Sequence, residues 1–210
     1  MRGLLTVVLV AAAATLVAGS LTADAAHRAA QHKIVTVHAG GALGFAFGPS
    51  TAKAKLGDSV HWVFDSSGHT STDSSMLALW DSGGPLPSGA TFDHTFAQAG
   101  TYAYKCTFHA GLGMTGIIKV PTQVAPKTPA SGAMITITWS SAAIANGFAM
   151  DVQERTPSDT KYVTISKHTT ALSTQQVVIA SGQYRFRARL VKLSNSAVSG
   201  WSPAGTATVS

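Results

Sequence analysis

Residues 100–121 read GTYAYKCTFHAGLGMTGIIKVP. The first six positions alternate, so Tyr102, Tyr104 and then Cys106 share one face of a predicted strand and the thiol points inward at its end. Residues 115–120 return as a second strand rich in β-branched side chains. Between the strands lie a thiolate, an imidazole and a thioether within nine positions, Cys106, His109 and Met114, with Gly111 and Gly113 supplying a tight backbone. All three donors are soft or borderline. A loop that leaves one strand and re-enters the next can fold them around a single point.

A trigonal site of two imidazoles and one thiolate with a long axial thioether needs a second histidine from elsewhere in the chain. Gly68-His69-Thr70, just after the predicted strand 59–64, can supply it from a neighbouring sheet edge. Cys106 is the one cysteine of the 210 residues. No internal disulfide exists for it, so metal bonding or deep burial must protect the thiol in an oxidising compartment. Export is expected: Arg2 precedes an apolar run from Leu4 to Ala18, and Ala23-Asp24-Ala25 fits a signal-peptidase site. Residues 1–25 are read as a signal peptide, since the run is too short for a retained transmembrane anchor. A periplasmic or extracellular location follows.

The spacing Cys-x2-His-x4-Met after Gly-x-Tyr-x-Tyr resembles the copper loop of the plastocyanin-like cupredoxins. The resemblance extends over about ninety residues: Phe47-x-Pro49, Gly57-Asp58-x-Val60-x-Trp62, Gly68-His69-Thr70, Phe92-x-His94-x-Phe96 and Gly100-x-Tyr102 follow in the family's order. It implies a Greek-key β-sandwich over residues 32–121 that binds one copper ion through His69, Cys106, His109 and Met114 and shuttles one electron. Thr70 is placed beside the thiolate. Gly40-Gly41-Ala42-Leu43-Gly44-Phe45 resembles the loop flanking the exposed histidine edge, so a redox partner is expected to dock near His109.

Residues 122–131 hold Pro126 and Pro129 without apolar periodicity and read as a stiff linker. Beyond it, short strands are predicted at 134–139, 147–154, 161–166, 175–179, 183–191 and 204–209. This second unit, 132–210, resembles a fibronectin type III domain in Trp139, Tyr184-x-Phe186-Arg187-x-Arg189 and Gly200-Trp201-Ser202-Pro203. The fold class is therefore all-β: a cupredoxin sandwich linked to an immunoglobulin-like one. In the first unit, strands are predicted at 33–38, 59–64, 91–96, 100–105 and 115–120.

Charge adds exclusions. Residues 32–121 carry five Lys/Arg and five Asp, whereas 128–210 carry seven basic and three acidic side chains. Arg185, Arg187 and Arg189 alternate with Tyr184, Phe186, Ala188 and Leu190, the pattern of a half-buried strand with a solvated face rather than of a nucleic-acid, anion or membrane surface. Nothing in the second unit resembles a catalytic cluster. His94 is expected to pack against Phe92 and Phe96. A copper enzyme built on an N-terminal histidine would need His27 at the mature terminus, and cleavage after Ala25 leaves it second. The expected task is electron transfer, with copper binding or delivery as the alternative and a possible extracellular ligand for the second unit.

Overall fold

The computed structural model describes residues 32–210, which form one compact unit. The predicted signal peptide, residues 1–25, lies outside the described residues. Apart from two short 3₁₀ turns, the regular structure is entirely β. No helix among the described residues is long and apolar enough to cross a membrane.

The first sandwich packs two four-stranded sheets. One contains β1 (Ile34–Ala39), β2 (Phe47–Gly48), β4 (Ser59–Phe64) and β6 (Thr91–Thr95) in the order β2-β1-β4-β6. The other contains β3 (Thr51–Lys53), β5 (Thr72–Asp73), β7 (Gly100–Lys105) and β8 (Thr115–Val120) in the order β3-β8-β7-β5. Pairs β1–β4 and β3–β8 are parallel, so the chain crosses between the sheets before re-pairing. Alternation in β4 buries Val60, Trp62 and Phe64, and alternation in β7 buries Tyr102 and Tyr104 against them. Each fully buried side chain of this size contributes about 1.5–3 kcal/mol of transfer free energy. The edge-on contact of Trp62 with Tyr104, 5.5 Å between ring centres, holds the two sheets together directly beneath Cys106.

The second sandwich has a three-stranded sheet, β13-β10-β9, and a four-stranded sheet, β12-β11-β14-β15. Its strands are β9 (Gln123–Ala125), β10 (Ala133–Thr138), β11 (Phe148–Arg155), β12 (Val163–Thr169), β13 (Ser173–Val178), β14 (Gly182–Lys192) and β15 (Gly205–Val209). Trp139, Ile135, Ile137, Val152, Phe186 and Ala207 fill its core. Tyr184 Oη accepts the backbone N–H groups of Ala180 at 3.1 Å and Ile179 at 3.4 Å, tying the start of β14 to the preceding turn.

The linker expected at 122–131 requires correction. Thr122 is buried and donates to the Phe186 carbonyl at 2.6 Å, and β9 pairs with β10 inside the second sandwich, leaving only 126–132 between these strands. Nor are the sandwiches spaced apart. Thr101 and Gly200 exchange both backbone hydrogen bonds (2.9 and 2.8 Å), Ala99 N donates to Trp139 O at 2.8 Å, and Lys192 Nζ reaches Leu77 O at 3.0 Å. Backbone groups of one sandwich thus satisfy those of the other, which a free spacer would leave to water.

Candidate metal centre

Cys106 ends β7, fully buried, where the alternation that buries Tyr102 and Tyr104 carries its thiol into the core. The loop then turns through a 3₁₀ segment, Ala110–Leu112, capped by Gly113 in the left-handed region at φ 89°. That reversal lets Met114 lie beside Cys106: Cys106 N donates to Met114 O at 3.1 Å and Met114 N to His109 O at 3.2 Å. The Met114 side chain is fully buried. His69 arrives from the segment after β4, held where Leu86 N donates to His69 O at 2.9 Å and Gly68 N donates to Leu86 O at 3.0 Å.

Three of the four predicted donors converge. His69 Nδ1 lies 3.9 Å from Cys106 Sγ, His109 Nδ1 lies 3.4 Å from the same sulfur, and the two nitrogens are 3.1 Å apart. A triangle with these sides has a point about 2.0 Å from all three corners, close to the roughly 2.0–2.3 Å of metal bonds to imidazole nitrogen and thiolate sulfur. Among the described residues this is the one cluster of three or more His, Cys, Asp or Glu side chains with metal-binding geometry. No carboxylate enters it, and two imidazoles with a thiolate suit copper rather than calcium or magnesium. Desolvation holds the His69 imidazole below its ordinary pKa, and His109 beside it adds to the effect. The direction favours the neutral ring, the form that binds metal.

Groups around the donors fix their orientation. Thr70 contributes its backbone N–H to Cys106 Sγ at 3.4 Å, while its hydroxyl accepts Thr107 N at 2.9 Å. Its place beside the thiolate is as expected, but the donor to sulfur is the main chain. Two groups escaped the sequence reading as site residues. Ser66 Oγ accepts Gly41 N at 2.8 Å and lies 3.1 Å from His69 Nε2, so it can hold the ring with Nδ1 facing the thiol. A serine three residues before a histidine carries no signal of that contact. Phe45 stacks on His109, ring centres 4.4 Å apart and planes at 26°. Its loop was singled out, but not this ring.

Gly40, at φ 77°, completes the arrangement. A Cβ there would stand 2.6 Å from His69 Cδ2 and collide with Ser66 Oγ and His69 Nε2 as well. Outside the donors, a groove of about 360 Å³ is lined by Phe45, Ser66, His69, Pro85, Phe108 and His109. Leu43, Phe45, Phe108 and Leu112 are exposed around it. Among the other described histidines, His38 pairs with Asp65, His61 with Asp93 and His168 with Asp151, and His94 stacks on Trp80 at 5.0 Å.

Residues 33–121 match the family model described as copper binding proteins, plastocyanin/azurin family. With the donor geometry, this supports a copper-binding domain of that family in the first sandwich. Halocyanin of Natronomonas pharaonis is 29% identical over 100 residues, 46% of this chain and 61% of that protein, so the chain spans less than two thirds of this relative's length. Among solved structures, the novel purple cupredoxin from Nitrosopumilus maritimus is 26% identical, with a TM-score of 0.35, covering 42% of this chain and 98% of that one. Oxidised plastocyanin from Dryopteris crassirhizoma is 23% identical, with a TM-score of 0.37, covering 41% and 99%.

Proposed function

We propose that this protein is an exported type 1 copper protein that carries single electrons, with copper held by His69, Cys106 and His109 and, axially, by Met114. The observation that carries the reading is the convergence of two Nδ1 atoms and one Sγ on a point at metal-bonding distance from all three. Copper supplies the one-electron couple; the chain supplies a donor set that suits both oxidation states. Burial of Cys106 and Met114 keeps water from the sulfur ligands. The Thr70 N–H places partial positive charge at the thiolate. A donor set of four protein groups leaves no position for a substrate, which favours a carrier over an enzyme.

His109 is the donor nearest the surface, and the side chains around it are uncharged: Phe45, Pro85 and Phe108 are apolar, with Ser66 and Ser67 between them. A redox partner docking there would bury a small, dry patch, as weak electron-transfer contacts do. The leader-like residues 1–25 support export. For the second sandwich, the sheet orders β13-β10-β9 and β12-β11-β14-β15, with the hydrogen-bonded Tyr184 at the start of β14, favour a fibronectin type III-like module.

The test is the oxidised, copper-loaded protein. An intense thiolate-to-Cu(II) absorption, abolished in Cys106→Ser, and a reversible one-electron wave are expected. A colourless copper complex would refute the site, while rapid loss of copper to a chelator without reversible electron exchange would replace the carrier reading by copper delivery.

A further inference from the structure

The outer face of β14 carries Arg185, Arg187 and Arg189, and its pairing with β11 distinguishes between them. Arg189 faces Asp151, to which its Nε and Nη2 donate at 3.1 and 2.9 Å. Arg187 faces Gln153, whose Oε1 accepts its Nε and Nη2 at 3.0 and 2.8 Å. Arg187 is also stacked between aromatic rings, 3.9 Å from the centre of Tyr162 and 4.7 Å from that of Trp201. One step further along the register an acceptor is due, and Arg155 stands there instead, directly opposite Arg185.

Like charges directly opposed on neighbouring strands destabilise a sheet, and a guanidinium cannot shed its proton to relieve the repulsion. Among the described residues neither Arg155 nor Arg185 has an ion-pair partner, the Arg pair recorded being Arg189 with Asp151. Neither nearby carboxylate forms an ion pair with the two arginines. Glu154 accepts from Gln176, and Asp159 accepts from the N–H and hydroxyl of Thr156 at 3.0 and 2.6 Å. The two arginines meet in an open groove of about 510 Å³, lined also by Thr156, Asp159, Ser181 and Gln183. Asp159 is its single carboxylate.

Contrary to the merely solvated face expected from the alternation, we propose that Arg155 and Arg185 form a binding site for a tetrahedral oxyanion, phosphate or sulfate, free or as a monoester. Two guanidinium forks can each donate to a pair of its oxygens, and its negative charge offsets the repulsion that the bare pair carries. Ser181 and Gln183 add neutral donors at the rim. The site lies on the second sandwich and is independent of the copper reading, so its failure would leave that reading untouched.

The test titrates the full chain with inorganic phosphate at low ionic strength, following the backbone amide resonances of Gly182 and Gln183. Saturable shifts are expected, with affinity at least tenfold weaker in Arg155→Gln/Arg185→Gln and changed less than twofold in Lys161→Gln. The wild-type thermal midpoint should also rise with phosphate against chloride of equal ionic strength, which needs no variant. Glycerol phosphate in a parallel titration identifies the source: comparable affinity assigns a monoester, and loss of binding assigns the free anion. Absence of saturation, an unchanged double variant, or equal weakening by Lys161→Gln would overturn the site.

Discussion

Gly40 offers a sharp test of how the backbone sets the metal centre. In Gly40→Ala the new methyl begins 2.6 Å from His69 Cδ2, and an ordinary contact needs at least 3.4 Å. The imidazole must therefore retreat by about 0.8 Å, several times the roughly 0.2 Å tolerance of a metal–ligand bond. Ser66, which braces the same ring, is displaced with it. Copper affinity should fall by at least about tenfold, the lower end for losing an orienting group. Backbone strain is separable from displacement because Gly44, at φ 63° in the same loop, has nothing within 4 Å of its would-be Cβ. Gly44→Ala carries a similar positive-φ strain, about 1–3 kcal/mol, without touching His69. Competition against a chelator of known affinity, beside denaturant unfolding of the metal-free proteins, reads both quantities. Equal copper affinities in the two variants would show that the glycine matters only for its backbone angle.

Three further outcomes follow from the geometry. Phe45→Ala removes the ring stacked on His109 and should weaken copper binding by about two- to twelvefold, the equivalent of an aromatic pair's 0.5–1.5 kcal/mol; an unchanged affinity would mean that the loop alone holds the imidazole. Tyr184→Phe strips the acceptor from Ala180 N and Ile179 N and should cost about 1–3 kcal/mol in urea unfolding, with a loss below the error of the measurement counting against the tie. Burial holds His69 and His94 below the ordinary 6.5, reinforced at His69 by His109 and opposed at His94 by Asp73. The unfolded chain then binds protons that the native state refuses, so the metal-free protein keeps this stability above pH 6.5 and loses it as the pH falls lower. His94→Phe, which retains a ring against Trp80, should flatten the profile between pH 7 and 5, and an identical profile would remove His94 from the account.

Much of this architecture is legible in the chain because its strands alternate. Val60, Trp62 and Phe64, or Tyr102, Tyr104 and Cys106, declare a buried face through period two alone, and the observed strands follow the predicted ones within a few residues. Strands β2, β3, β5 and β9 escaped because two or three residues cannot display a period; they exist through pairing with neighbours distant in sequence. Of the three side chains that converge, Cys106 and His109 were legible from residue chemistry and loop spacing, and His69 from its place after a strand. Ser66 and Phe45 were not. A hydroxyl and a phenyl ring announce no role until two separate loops bring them against an imidazole. The arginines of β14 illustrate the same limit: their shared face is visible in sequence, but which of them lacks an acceptor depends on the register with β11.

Strand β7 runs from Gly100, beside the clasp of Thr101 with Gly200, to Lys105, the residue before the cysteine. Its six residues span roughly 20 Å at about 3.3 Å each. A load passed through that clasp runs along this strand towards the sulfur, while the Ala99–Trp139 and Lys192–Leu77 bonds share it. Prising the halves apart would strain the strand that seats the thiol, so the seam between the sandwiches and the grip on a bound ion are mechanically joined.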